Sequence, residues 1–259
     1  MKNNILHTEN LSIGYASKKT QTVVSENINF NIQKGTFVTL LGKNGIGKST
    51  LLRTLSNIQQ PLKGSVFIQQ KALKSYTNKS LATCVSLVLT EPLPESQLTV
   101  FELIALGRQP YTNWVDTLSE TDITSIDNAM QLTEIQHLKY NRFYELSDGQ
   151  LQRVFIARAL AQDTPLIILD EPTAHLDLHH TLKIFKVLKK LVAETSKTIL
   201  ISTHEVNLAI KFSDEIALMT ENEFHTGTPQ QLINKSMFDK LFPDEMIRFD
   251  KTLQQFVMK

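Results

Sequence analysis

Gly42-Lys43-Asn44-Gly45-Ile46-Gly47-Lys48-Ser49-Thr50 is the stretch that decides the fold. It fits the pattern G-x-x-x-x-G-K-[ST], a loop whose glycines let the backbone turn so that consecutive N–H groups face one anion. Phe37-Val38-Thr39-Leu40-Leu41 precedes it and is mostly apolar on both parities; Thr50-Leu51-Leu52-Arg53-Thr54-Leu55 follows and continues as a helix. A helix starting there adds the positive end of its dipole. At roughly 6–7% usage of each required residue type, chance matches arise in about one chain in a hundred of this length. A strand before and a helix after lower that further. The loop reads as a phosphate cradle, with Lys48 reaching the β- and γ-phosphates of a nucleotide and Ser49 offering a hydroxyl to Mg²⁺.

Two further runs, Leu166-Ile167-Ile168-Leu169 and Thr198-Ile199-Leu200-Ile201, are also apolar on both parities. Such strands belong in a parallel sheet covered by helices. Between them Ile184, Val187, Leu188, Leu191 and Val192 recur at helical spacing, with Lys183, Lys186 and Lys190 on a solvated opposite face, which predicts a βαβ unit. The first of these strands runs into Asp170-Glu171. Ligands of open parallel sheets sit beyond the carboxyl ends of the strands, so both acids emerge at the edge that carries the phosphate loop. An Asp-Glu pair alone reads as surface loop. Here Asp170 suits Mg²⁺, through water, and Glu171 suits a general base that polarises the attacking water.

The rest of the chain bounds this reading. With 259 residues, 41% of them apolar, one large domain or two small ones can bury a sizeable core. The 27 basic and 26 acidic side chains leave a net charge of +1, without the footprint of a nucleic-acid coat or a polybasic membrane binder. The single cysteine, Cys84, excludes an internal disulfide and, in Cys84-Val85-Ser86-Leu87-Val88-Leu89, reads as a buried strand thiol rather than a nucleophile. No apolar run approaches the ~18 residues of a spanning helix, and Met1–His7 has no secretory pattern, so the expectation is a cytoplasmic protein. Ile5 to Ile13 reads as a strand. Asn27 to Ile32 alternates cleanly and reads as a half-buried antiparallel strand. Val100 to about Gln162 is mostly helical, with polar joints at 108–117 and 141–147. The tail beyond Gly227 reads as a small helical appendage.

A third motif, Leu146-Ser147-Asp148-Gly149-Gln150, precedes Gln152-Arg153 and the run Val154-Phe155-Ile156-Ala157. By itself it is a helix cap and a glycine turn. With the phosphate loop and Asp170-Glu171 it resembles the L-S-G-G-Q signature of ATP-binding-cassette (ABC) ATPases, with Asp148 in place of the first glycine. The resemblance runs from about residue 5 to 230, in order and without large gaps. It implies an α/β P-loop NTPase core with an antiparallel β subdomain and a helical subdomain inserted at about 95–162. The ATPase domain would span 1–230, with a small C-terminal extension at 231–259.

Carried over by position, the resemblance makes Tyr15 the aromatic that stacks on adenine, although a packed strand-end tyrosine is the alternative. It makes Asp177, in Ala174-His175-Leu176-Asp177, the aspartate that bridges two halves of a dimer, and His204 the switch histidine that contacts the γ-phosphate. The catalytic set is Lys48, Glu171 and His204. The nucleotide-binding set is Tyr15, Gly42, Asn44, Gly45, Gly47, Lys48, Ser49, Thr50, Ser147, Gly149, Gln150 and Asp177. The metal set is Ser49, Asp170 and Thr90, for ATP and Mg²⁺. One position departs: where the family has glutamine after the strand at 85–89, this chain has Thr90-Glu91-Pro92. Thr90 falls at the expected place but is shorter, and Glu91 is the other candidate; Gln97 is too far along to substitute without a loop rearrangement.

Leu106-Gly107-Arg108-Gln109-Pro110-Tyr111, Glu171-Pro172-Thr173-Ala174-His175-Leu176-Asp177 and His204-Glu205-Val206-Asn207-Leu208-Ala209 look like the stretches common in importers of iron–siderophore, haem and cobalamin. That resemblance implies a homodimer, peripheral on the inner face of the cell membrane. It also implies separate permease subunits and a periplasmic or lipoprotein substrate-binding protein. Two competing classes are a soluble ABC ATPase acting on ribosomes or DNA and the cassette of an exporter. One signature, no sustained heptads and a net charge of +1 speak against the ribosome- or DNA-acting class and against a nucleic-acid partner.

Overall fold

The computed structural model describes residues 4–17, 20–89, 97–112, 117–221, 223–242 and 246–259. The chain opens with β1 (Asn4–Ala16), β2 (Gln21–Ile28) and β3 (Asn31–Gln33), and β4 (Phe37–Leu41) and α1 (Lys48–Leu55) flank the glycine-rich loop. There follow β5 (Lys63–Ile68), β6 (Lys71–Ala72), α2 (Asn78–Ala82) and β7 (Val85–Val88), then the helices α3 (Val100–Ala105), α4 (Glu120–Leu132) and α5 (Asp148–Ala161). The alternating half is β8 (Leu166–Leu169), α6 (Leu178–Thr195), β9 (Thr198–Thr203), α7 (Val206–Phe212), β10 (Glu215–Met219) and β11 (Phe224–Gly227). It ends in α8 (Pro229–Asn234), β12 (Ile247–Asp250) and β13 (Gln255–Met258).

The main sheet has six strands in the order β11-β10-β4-β9-β8-β7, parallel throughout except for the antiparallel edge strand β11. Both faces are covered, as runs apolar on both parities require. Val38, Leu40, Leu166, Ile168 and Leu200 face one core, shared with α1 and with the antiparallel sheet β2-β1-β5-β6. Their neighbours Phe37, Ile167, Leu169, Ile199 and Ile201 face the other, shared with α3 to α6. On α6, Ile184, Val187, Leu188, Leu191 and Val192 are buried and Lys183, Lys186 and Lys190 are exposed, as the periodicity predicts. Because β4, β9 and β8 are adjacent and parallel, the loop after β4, the acids after β8 and His204 after β9 leave the sheet at one edge.

Three sequence expectations need correction. Asn27 to Ile32 is not one strand. Ile28, Phe30 and Ile32 are buried as the alternation requires, but Asn27 takes a left-handed φ of 56° and the ladder breaks between β2 and β3. The buried Thr8 hydroxyl of β1 bridges the break, donating to Ile28 O at 2.8 Å and accepting from Phe30 N at 2.9 Å. Cys84 lies just before β7 and is half-buried, not within the strand. The tail is only partly helical: β12 and β13 form an antiparallel hairpin. Its turn is fixed by the Asp250 carboxylate, which accepts from Thr252 N (2.8 Å) and Leu253 N (2.9 Å). Phe249 of the hairpin stacks on Phe238 at 4.8 Å and packs with Leu41, Val206 and Leu218 of the main body.

The Leu106–Tyr111 stretch serves the helices. Arg108 Nε lies 2.7 Å from Asp122 Oδ1 of α4, and its Nη1 donates to Ala161 O at the end of α5 at 2.6 Å. The guanidinium also sits over the Tyr111 ring, 4.1 Å from its centroid. Hydrogen bonds from Ser119, together with Arg108, hold the Asp122 carboxyl down to about 2. Both partners of the pair are almost fully buried.

Candidate nucleotide-binding site

The phosphate loop closes on itself. Gly47, the residue at the start of α1, has φ 112°, and a Cβ there would collide with Val24 of β2. Only glycine satisfies both demands. No side chain caps α1, so the N–H groups of its first turn are left for a ligand. Lys48 is 4% exposed and folds back into the loop, its Nζ donating to Gly42 O at 2.9 Å and Lys43 O at 3.2 Å. The same ammonium lies 3.1 Å from Glu171 Oε1. The cation is thus placed before any anion arrives, and Glu171, a quarter exposed, compensates it from the open side.

Ser202 organises the two acids. Leu169 of β8 is in register with Ile201 of β9, which brings Asp170 beside Ser202. The buried Ser202 hydroxyl donates to Asp170 Oδ1 at 2.7 Å and accepts from Glu171 N at 2.9 Å. Asp170 N is in turn held by Val88 O of β7 at 2.9 Å. Glu171 stands at φ 45°, a sparsely populated conformation for a residue with a Cβ, which re-aims its side chain toward Lys48. The sequence reading did not single out Ser202. Its signal was a small hydroxyl where an apolar strand reaches the functional edge.

The resulting open depression, about 380 Å³, is lined by Tyr15, Asn44, Gly45, Gly47, Lys48, Ser49, Thr50 and Glu171. Tyr15 is exposed at its rim, anchored by its hydroxyl 2.9 Å from Thr50 Oγ1. Ser49 on this depression and Asp170, held by Ser202, offer oxygen donors of the kind Mg²⁺ takes. Thr90 and Glu91 lie outside the described residues.

The remaining predicted residues are not on this depression. Ser147 caps α5, accepting from Gln150 N at 3.4 Å, while Gln150 Oε1 accepts from Ser147 N at 3.0 Å. Asp177 caps α6 in the same way, accepting from His180 N at 2.8 Å, and its carboxylate also meets His180 Nδ1 at 2.9 Å. These hydrogen bonds, the backbone one first, hold the Asp177 carboxyl below the usual range. A Cβ on Gly149 would stand 2.5 Å from the His180 ring, so α5 and α6 meet at this glycine. His204 is about half exposed, with Nε2 3.5 Å from Glu205 Oε1. The predicted site is therefore divided into a phosphate-loop patch and a signature patch.

The ABC transporter family profile matches residues 25–174. The iron(3+)-hydroxamate import ATP-binding protein FhuC of Bacillus subtilis (strain 168) is 38% identical over 240 residues, 92% of this chain and 88% of that protein. A chain of an inward-facing ABC transporter described as of metal-chelate type superposes with a TM-score of 0.80 at 27% identity, over 98% of this chain and 96% of that one. A dimeric ATP-binding cassette in a post-hydrolysis state with ADP and Pi gives a TM-score of 0.74 at 28% identity, over 86% of this chain and 98% of that one. The chain belongs to the ABC transporter family, as an ATP-binding and ATP-hydrolysing subunit. Among the described residues no helix is long and apolar enough to cross a membrane.

Proposed function

We propose that this chain powers an importer of ferric chelates by hydrolysing ATP between two head-to-tail copies of itself. The observation that carries the shared site is the division just described. The phosphate-loop patch holds Lys48, Ser49 and Glu171, while Ser147 and Asp177 are exposed on a separate edge, at the helix termini that meet at the buried Gly149. A second copy brings its signature edge to the first copy's nucleotide, and the N-terminus of its α5 adds N–H donors to the γ-phosphate.

In this reading the γ-phosphate replaces the Glu171 carboxylate as the partner of Lys48, and Tyr15 stacks on the adenine. Ser49 and Asp170 would hold Mg²⁺, which would supply charge neutralisation at the phosphates. Glu171, released from Lys48, accepts a proton from the attacking water. The water oxygen bonds to the γ-phosphorus as the bond to the β-γ bridging oxygen breaks, and ADP leaves with that electron pair. His204 contacts the γ-phosphate from β9. Loss of the γ-phosphate removes the bridge, and the copies separate. The helices between β7 and β8 transmit opening and closing to separate permease subunits, which places the chain at the inner face of the membrane.

The substrate class follows from the hydroxamate-import relative and the metal-chelate transporter neighbour. Reconstitution with the permease and binding protein tests it. ATP hydrolysis is expected to rise several-fold with ferric hydroxamate or another ferric siderophore on the binding protein. Stimulation by a non-chelate substrate alone contradicts the assignment.

A further inference from the structure

Asp177 at the cap of α6 and His179 and His180 in its first turn each place one ligating atom within 4.8 Å of the others. Among the described residues this is the only such group of three or more His, Cys, Asp or Glu side chains. Its chemistry differs from that of the phosphate cavity. Two imidazoles and one carboxylate suit borderline divalent ions such as Zn²⁺, whereas Mg²⁺ takes oxygen ligands.

We propose that Asp177, His179 and His180 form a binding site for a divalent transition-metal ion of the zinc class, where α6 meets the signature helix α5. The separations are near those required. Bonds of about 2.0–2.2 Å in a tetrahedral site put ligand atoms about 3.3 Å apart. His180 Nδ1 is already 2.9 Å from both Asp177 oxygens. His179 stands T-shaped to His180, with ring centroids 5.6 Å apart, and is exposed, so rotation of its side chain closes the third side. Water fills the open position.

The location gives the site a consequence, which rests on the dimer reading above. The His180 ring lies against Gly149, and Asp177 is the residue that bridges the two copies in that reading. An ion here neutralises the Asp177 carboxylate and pins the His180 ring beside the signature glycine. The edge that must meet the partner's nucleotide is then altered, and occupancy slows hydrolysis.

Calorimetric titration of the nucleotide-free full chain with Zn²⁺ tests the site without requiring any ATPase activity. Wild type is expected to take one ion per chain. His179→Ala, at an exposed position outside the nucleotide machinery, should weaken it tenfold or more, since even outer-shell substitutions cost about 10–100-fold. Asp170→Asn should leave this binding unchanged, which separates it from the Mg²⁺ ligands. Equal affinity in wild type and His179→Ala, or loss in Asp170→Asn alone, overturns the site. In a zinc-buffered ATPase assay, saturating Zn²⁺ should lower the wild-type rate by about tenfold, within ordinary coupling energies, and leave His179→Ala unaffected. Equal inhibition of both overturns the coupling. Absence of hydrolysis in zinc-free Mg²⁺–ATP counts against the proposed function instead, and the titration still decides the site.

Discussion

The phosphate-loop edge and the signature edge use similar parts and finish them differently. Each has a glycine at the start of a helix and a hydroxyl beside it. At the phosphate loop α1 has no side-chain cap, and the buried Lys48 waits with Glu171 as its counter-ion. At the signature Ser147 and Gln150 cap α5 from within, and Asp177 and His180 do so for α6. The first edge is built to receive a ligand. The second is a stable surface in the single chain, and it gains a task only when something is brought to it. In the proposed dimer, a site divided in this way would make assembly conditional on the nucleotide.

The largest expected effect tests the first edge. Glu171→Gln should slow hydrolysis about 10²–10⁴-fold, the usual contribution of a general base, while ATP still binds. Phosphate release and nucleotide titration read the two quantities separately. An unchanged rate would move the base elsewhere.

Arg108→Ala weakens the scaffold of the second edge. It strands the buried Asp122 and frees the end of α5, and losing one partner of a buried pair costs about 3–5 kcal/mol. Urea unfolding measures it; a loss below about 1 kcal/mol would show that the pair is dispensable. Acid should probe the same pair. The Asp122 carboxyl is lowered from 3.8 to about 2, so its contribution of about 2 kcal/mol is fully present above pH 4 and is lost as pH falls through 2. Arg108→Ala retains part of this acid response, because the largest cause is Ser119.

Lys48→Ala should weaken ATP binding roughly ten- to hundredfold, since a charge-assisted hydrogen bond contributes about 1.5–3 kcal/mol. Ser202→Ala should cost less. It removes the hydroxyl shared by Asp170 and Glu171, so hydrolysis is expected to fall about tenfold with ATP affinity nearly unchanged, in the range of one hydrogen bond to a charged group. A loss of binding equal to that of Lys48→Ala would place Ser202 in the nucleotide contact itself.

Much of the first edge was legible in the sequence because its demands are local. A left-handed turn needs Gly47, a buried anion needs Lys48, and sheet strands covered on both faces show apolar residues on both parities. What escaped is non-local or short. Ser202 acts on residues 31 and 32 positions away through strand register, which no window along the chain contains. The Asn27 break is invisible to an alternation that continues across it, because Thr8 of another strand supplies the missing bonds. The four-residue strands of the C-terminal hairpin are too short for a period, and their turn depends on one carboxylate, Asp250.

Size exclusion with light scattering on Glu171→Gln, at tens of micromolar protein, tests the divided site most directly. With saturating Mg²⁺–ATP it should run as a dimer, because intact ATP has all its partners only in the closed pair and shifts the equilibrium by that difference. With ADP, wild type should stay monomeric, and adding Ser147→Arg should abolish the ATP-dependent dimer. A Glu171→Gln chain that remains monomeric while fully loaded with ATP, or a double variant that dimerises as well as the single one, would contradict the account.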